Sequence, residues 1–243
     1  MPCATLAKSE VLTVKKWWLA GLAAALLVSG SVALAAETKG QEVIPVSYRA
    51  LINRQEVLEI GREQVKQVYH KQKLDAGQVV LFSRPNEQDD YLYAAWEKGG
   101  KLYDLGAVGT LPFAEEAFIH THEFNGRTLL RIDGVYAAKA PQSNFYVLEG
   151  DMVKPFVRVN GHAVESDLDR DGKKEIVTTL GLRGMSKIYK ETPGGQFEVA
   201  DINQATGAKE VVFQMEDDLF IAKYEGGVTK KFFYTKDGLR EEK

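Results

Sequence analysis

Short apolar segments, each bounded by turn residues, follow one another from Gln78 to Thr235. Segments of this kind, rich in β-branched and aromatic residues, are typical of strands, and Gly-Gly, Asn-Gly and Pro-Gly-Gly clusters are typical of the turns between them. The pattern predicts strands at residues 79–83, 91–97, 102–105, 117–124, 127–132, 145–149, 154–159, 175–180, 186–191, 197–200, 210–215, 219–224 and 230–235. The chain is therefore expected to be mainly β, as a sandwich, barrel or propeller.

One segment before these strands has near-helical spacing of its apolar residues. Within residues 53–72, the apolar side chains are Val57, Ile60, Val65, Val68 and Tyr69. Asn53 is in the place of an N-cap, and Glu56 is three residues further on, as in a capping box. We therefore expect an N-terminal helix at about residues 53–72. It would pack on the edge of the β domain, or alternatively bind a partner through its apolar stripe.

An acidic loop at residues 167–175 precedes the predicted strand 175–180. Calcium takes six to eight oxygen ligands, and carboxylates at alternate positions of a curled loop can converge on it. The expected ligands are the side chains of Asp167, Asp169, Asp171 and Glu175, with the carbonyl of Lys173 and water. Three aspartates at this spacing repel each other without a cation, which favours calcium over the alternative of a solvated turn.

The loop differs from an EF-hand, because its twelfth position is Thr178 and a strand rather than a helix follows it. The pattern Asp-x-Asp-x-Asp-Gly-x-x-Glu before an apolar strand resembles the loops of FG-GAP and VCBS repeats, the integrin-α-like family. That resemblance implies a β-propeller in which calcium is bound in loops of the blades.

A second stretch has some of the same spacing. In residues 201–212, Gly207, Lys209, Glu210 and Val211 each follow their counterparts in the acidic loop by 35 residues. Residues 125–130 and 89–93 are candidate starts of earlier copies. Intervals of this length predict a propeller-like array of four or five blades, with an irregular β-sandwich as the alternative.

The N-terminus has the pattern of a secretory signal peptide. Lys15 and Lys16 precede an uncharged run that ends in Ala33-Leu34-Ala35, so we expect residues 1–35 to be cleaved, with an uncleaved membrane anchor as the alternative. Residues 36–52 are then a linker and a first extended segment, and residues 53–243 are a single β-rich domain. The only cysteine, Cys3, would leave with the leader, which is typical of a bacterial cell exterior.

The charge balance argues against some partners. The chain has 31 basic and 34 acidic residues, of which three basic residues and one acidic residue lie in the predicted leader. Without the leader, 28 basic and 33 acidic residues remain, and the net charge is −5. Nucleic acid is therefore not an expected partner, and a membrane span is expected only if the leader is retained.

Two histidines form a weaker candidate site. His120 and His122 are two residues apart in a predicted strand, so they face the same side and could share a metal ion, although the local sequence offers no third ligand. Exposed polar residues on one strand face are the alternative. No nucleophile elbow, phosphate loop or dinucleotide motif occurs.

Two functions are consistent with these features. The first is an exported, non-catalytic calcium-binding β domain that binds a glycan or protein at the cell surface. The second is an extracellular metal-dependent hydrolase acting on polysaccharide or phosphoester bonds.

Overall fold

The computed structural model describes residues 42–53, 55–85, 90–136, 139–181 and 184–243. The protein is mainly β, with 62% of the described residues in strands and 9% in helical turns, which confirms the expected class. Within these residues the strands form four antiparallel sheets, none of which closes into a barrel.

Each sheet contains four strands that are consecutive in the chain, and three sheets gain a fifth strand from the N-terminal segment. The N-terminal strands are β1 (Val43–Ile44), β2 (Tyr48–Ala50) and β3 (Leu58–Ile60). Sheet I contains β4 (Gln67–Lys73), β5 (Gln78–Ser83), β6 (Tyr91–Lys98) and β7 (Lys101–Thr110), with β3 beside β7. Sheet II contains β8 (Phe118–Phe124), β9 (Arg127–Tyr136), β10 (Ala140–Glu149) and β11 (Met152–Asn160).

The two remaining sheets are built in the same way. Sheet III contains β12 (His162–Ser166), β13 (Glu175–Leu180), β14 (Met185–Glu191) and β15 (Phe197–Asp201), with β2 beside β15. Sheet IV contains β16 (Glu210–Gln214), β17 (Leu219–Lys223), β18 (Thr229–Thr235) and β19 (Gly238–Glu241), with β1 beside β19. All thirteen strands expected from the sequence are present.

Buried side chains join each sheet to the next one in the chain. Trp96 and Tyr146 lie in the core between sheets I and II, and Phe145 and Phe197 lie between sheets II and III. The core between sheets III and IV includes Phe220. Because successive strand residues face opposite sides, Ile176 and Val177 of β13 enter different cores. No apolar cluster of the described residues joins sheet I to sheet IV.

The prediction of a helix at about residues 53–72 is wrong. The segment contains β3, a 3₁₀ turn at Arg62–Gln64 and β4. The Asn53 side chain does not cap a helix: its oxygen accepts a hydrogen bond from the Gln55 amide at 3.2 Å. The register of β4 against β5 shifts between Val68 and His70, and this bulge interrupts the alternation of side chains.

The stretch at residues 201–212 does not fold as a second acidic loop. Asp201 instead caps a short helix, α1 (Ile202–Thr206), by accepting a hydrogen bond from the Gln204 amide at 2.9 Å. The likeness is limited to a left-handed glycine, Gly207, and to Glu210 at the start of the next strand. Of the candidate earlier copies, Asn125-Gly126 forms the hairpin turn between β8 and β9, and Asp89 lies outside the described residues.

The predicted leader, residues 1–35, and Cys3 lie outside the described residues. The segment 36–52 contains β1 and β2, which pair with β19 and β15 of the domain. Within the described ranges, no helix is long and apolar enough to cross a bilayer.

Candidate metal centre

The acidic loop connects β12 to β13 at the start of sheet III. Its own carboxylates accept hydrogen bonds from its backbone: Asp167 from Gly172 at 3.0 Å, Asp169 from Asp171 at 3.2 Å, and Asp171 from Lys173 at 2.8 Å. Gly172 has a φ of 87°, a left-handed conformation that glycine adopts without strain. These bonds hold the loop in a tight curl.

The curl brings three of the expected ligands together. One oxygen each from Asp167, Asp169 and Glu175 lie within 4.8 Å of one another. Calcium–oxygen bonds are about 2.3 to 2.6 Å long, so oxygens on opposite sides of one ion are up to about 5 Å apart. The spacing of the three carboxylates therefore fits a calcium ion.

The burial of these groups is unusual for carboxylates. The side chains of Asp169 and Glu175 are only 2% and 1% exposed. Glu175 accepts a hydrogen bond from the amide of Leu168 at 3.1 Å, and Leu168 itself is anchored in the core between sheets III and IV. Oδ1 of Asp167 is buried and has no hydrogen-bond partner. A buried oxygen without a partner is destabilising unless something binds it, which fits a cation.

A side chain that the sequence analysis missed lies against the cluster. Nζ of Lys190 is 2.7 Å from Asp169, 3.5 Å from Glu175 and 3.9 Å from Asp171. Lys190 is on β14. Because Tyr189 of β14 pairs with Ile176 of β13, Lys190 lies opposite Glu175 on the neighbouring strand. The ammonium group is an internal counter-ion for the loop.

The pKa values of Glu175 and Lys190 are shifted by burial and by the neighbouring charges. Burial raises the pKa of Glu175 to about 7, and the charges of Asp169 and Asp171 act in the same direction, while Lys190 opposes them. Burial by itself would lower the pKa of Lys190, but the hydrogen bond to Asp169 and the charge of Glu175 outweigh it and raise that pKa. The site therefore attracts positive charge.

Asn125 supports the loop from sheet II. Its side-chain oxygen accepts a hydrogen bond from the Lys174 amide at 2.8 Å, and its amide nitrogen donates to the Lys174 carbonyl at 3.1 Å. This pair of bonds fixes the backbone immediately before Glu175. The Asn125-Gly126 turn that the sequence analysis identified thus has a second role, because it positions the loop.

Two expected ligands stand apart from the three-carboxylate cluster. The side chain of Asp171 is 43% exposed and lies on the open side of the loop. Lys173 is exposed, and ligation by its carbonyl stays a prediction. An ion bound by Asp167, Asp169 and Glu175 would complete its shell from this open side, with water as a further ligand.

The alternative histidine site has a different character. The rings of His120 and His122 lie on the same face, with centroids 5.2 Å apart. Nε2 of His122 is 2.7 Å from Glu165, whose other neighbour is Arg131 at 3.8 Å. Burial, with the charge of Arg131, lowers the pKa of His120. Among the described residues, three converging metal ligands occur in the acidic loop and not at these histidines.

Two hollows flank the acidic loop. One, of about 490 Å³, is lined by Asp167, Asp169, Asp217, Asp218 and Tyr234 among others. The other, of about 400 Å³, lies on the side of Asn125 and Lys190. Either one gives solvent and small ions a route to the carboxylates.

No family model, curated protein or solved structure matches this chain. The resemblance of the acidic loop to FG-GAP and VCBS repeats therefore stays a prediction.

Proposed function

We propose that the protein is an exported, non-catalytic β domain that binds calcium in the acidic loop and binds a glycan or protein at the cell surface. In this proposal the four sheets are blades of a propeller-like array. The observation that carries it is the convergence of Asp167, Asp169 and Glu175 within 4.8 Å.

The donor set favours a hard cation. All three converging groups are carboxylates, and calcium prefers oxygen ligands of this kind. Zinc and copper favour imidazole and thiolate, which the acidic loop lacks. The unpartnered Oδ1 of Asp167 would gain a partner when the ion binds.

The position of the loop supports a structural role for the ion. Leu168 enters the core between sheets III and IV, and Ser166 at the end of β12 donates a hydrogen bond to Asp218 of sheet IV at 2.6 Å. Tyr48 and Tyr234, from these same two sheets, share a hydrogen bond of 2.8 Å. An ion that fixes the loop would therefore also fix the junction between the sheets.

Calorimetric calcium titration and thermal unfolding test the proposal. If only the folded protein binds calcium, a concentration a hundred times Kd stabilises it by about 2.7 kcal/mol, or roughly 5 to 10 °C in Tm. Asp169→Asn removes one ligand charge but keeps the acceptor for the Asp171 amide, so we expect it to lose both the heat of binding and the stabilisation. Asp151→Asn, at a side chain that is 79% exposed and away from the loop, is the matched control.

An unchanged Tm at millimolar calcium would refute the metal site. Turnover of polysaccharide or phosphoester substrates that EDTA abolishes would favour the hydrolase instead.

A further inference from the structure

A third hollow lies between sheets I and II, at a different junction from the acidic loop. Its volume is about 450 Å³. Residues 51–53, 55 and 56, which lie between β2 and β3, line one side of it, and they include the exposed carboxylate of Glu56. The Asn53 side-chain amide donates to the Phe156 carbonyl at 3.1 Å. Gly106 and Ala107 of β7 and Arg158 of β11 form the opposite wall.

Arg158 is held in this hollow without an acidic partner. Its Nε donates to Asn144 at 2.8 Å, and its Nη2 lies 3.4 Å from the Ala107 carbonyl. Asn144 is fully buried, so the guanidinium is supported from inside the core. Among the described residues, no carboxylate oxygen lies within 4.0 Å of it. A half-buried, oriented and uncompensated guanidinium favours binding of an anion, and a carboxylate matches its planar geometry.

Gln55 adds an unused acceptor to the same hollow. Its amide nitrogen donates to the Leu105 carbonyl and to the Tyr146 hydroxyl, both at 2.7 Å, which fixes the orientation of the side chain. Its Oε1 is buried and has no partner. A ligand with a hydroxyl donor would satisfy this oxygen.

Gly106 and Ile52 provide space for a ligand and an apolar surface that it could contact. A Cβ at Gly106 would lie 3.3 Å from Nη2 of Arg158, so the glycine leaves space beside the guanidinium. Ile52 at the rim is 74% exposed. Its side chain could pack on the C–H face of a sugar ring.

We infer that this hollow binds a small sugar acid, with its carboxylate on Arg158, a hydroxyl on Gln55 and its ring against Ile52. The site does not involve the acidic loop, so it stands whether or not the protein binds calcium.

The test is NMR titration of the ¹⁵N-labelled protein with D-glucuronate, following the Arg158 Nε–H and the Gln55 side-chain amide. We expect saturable shifts of these signals with glucuronate and at least tenfold weaker binding of D-glucose, which lacks the carboxylate. Arg158→Gln should weaken glucuronate binding at least tenfold. Arg49→Gln is the matched control, because it makes the same change in net charge at an exposed residue of β2.

A variant at the rim keeps the test valid if Arg158→Gln does not fold. Ile52→Glu places a negative charge at an exposed position and should weaken glucuronate binding at least fivefold, while Ile52→Gln should weaken it less. Absence of saturable shifts at 20 mM glucuronate, or equal binding of glucose, would overturn the inference. Phosphate bound as tightly as glucuronate would overturn the assignment to a sugar acid.

Discussion

Replacement of Lys190 by Met tests the metal centre through a group that is not itself a ligand. In the metal-free protein the Lys190 ammonium forms ion pairs with Asp169 and Glu175, whose side chains are 2% and 1% exposed. Breaking a fully buried ion pair costs about 3 to 5 kcal/mol, and breaking a surface pair costs about 0 to 1 kcal/mol. Because Lys190 is itself 32% exposed, we expect an intermediate loss of about 2 kcal/mol, or about 4 to 8 °C in Tm.

The same substitution should strengthen calcium binding. An ion bonded to Asp169 and Glu175 would lie within about 4 Å of an ammonium that stayed in place, and at an effective dielectric constant of about 20 their repulsion is about 8 kcal/mol. Lys190 must therefore leave the carboxylates when calcium binds, and the ion pairs it gives up reduce the affinity. Without Lys190, that loss of about 2 kcal/mol disappears, so Kd should fall roughly 30-fold.

Calorimetric titration with calcium and thermal unfolding with and without EDTA measure both effects. Lys187→Met is the matched control, because Lys187 lies on the same strand and no carboxylate of the described residues lies within 4.0 Å of its ammonium. The two effects should be equal in free energy, since both report the same ion pairs. The reasoning fails if Lys190→Met binds calcium no more tightly than Lys187→Met, or if both variants unfold at the same temperature in EDTA.

Three other side chains around the centre give predictions. Because the folded-state pKa of Glu175, about 7, exceeds its ordinary value of 4.5, the folded metal-free protein holds an extra proton between these values. The free energy of unfolding should therefore fall as pH rises from 4.5 to 7, and calcium affinity should fall up to tenfold per unit below pH 7, measured by unfolding and calorimetry at each pH. Asn125→Gly keeps the φ of 48° but removes both hydrogen bonds to Lys174, so denaturant unfolding should show a loss of about 1 to 2 kcal/mol, with weaker calcium binding. Tyr48→Phe removes the hydrogen bond between sheets III and IV and should lower the free energy of unfolding by about 1 kcal/mol in the same assay.

The strands were predictable because their signals are local. A segment such as Glu175–Leu180 is apolar, β-branched and followed by a glycine turn, and these properties act within a few residues. The strands β1, β2 and β3 pair instead with β19, β15 and β7, which are distant in the chain. Local patterns contain no information about such partners, and residues 53–72, which include β3, were misinterpreted as a helix.

The apolar residues in and before β4 do not alternate in the sequence, and for this reason the segment was interpreted as a helix. A helix was inferred from the spacing of Val65, Val68 and Tyr69, with Asn53 as its cap. In the structure the register shift beside Tyr69 breaks the alternation, and Asn53 forms a turn. Pairing with β5 gives β4 the hydrogen bonds of a strand at the edge of sheet I, and this pairing outweighs helix propensity.

The acidic loop was predictable for a similar reason, and Lys190 was predictable in principle. Leu180 pairs with Met185 across the turn from β13 to β14, so an antiparallel hairpin with this register sets Glu175 opposite Lys190. Both strands were expected from the sequence, at residues 175–180 and 186–191. The missing step was to fix the register, which would have identified the counter-ion.

The presence of Lys190 changes the argument for a metal. Repulsion among the aspartates favours a cation, but the ammonium already supplies one positive charge to Asp169 and Glu175. It does not reach Asp167 within 4.0 Å, and Oδ1 of Asp167 stays buried without a partner. A single charge held on one side of three converging carboxylates leaves a net negative site and one unsatisfied oxygen, and a divalent ion would correct both. The support for calcium therefore comes less from the number of aspartates than from the one carboxylate that the lysine does not reach.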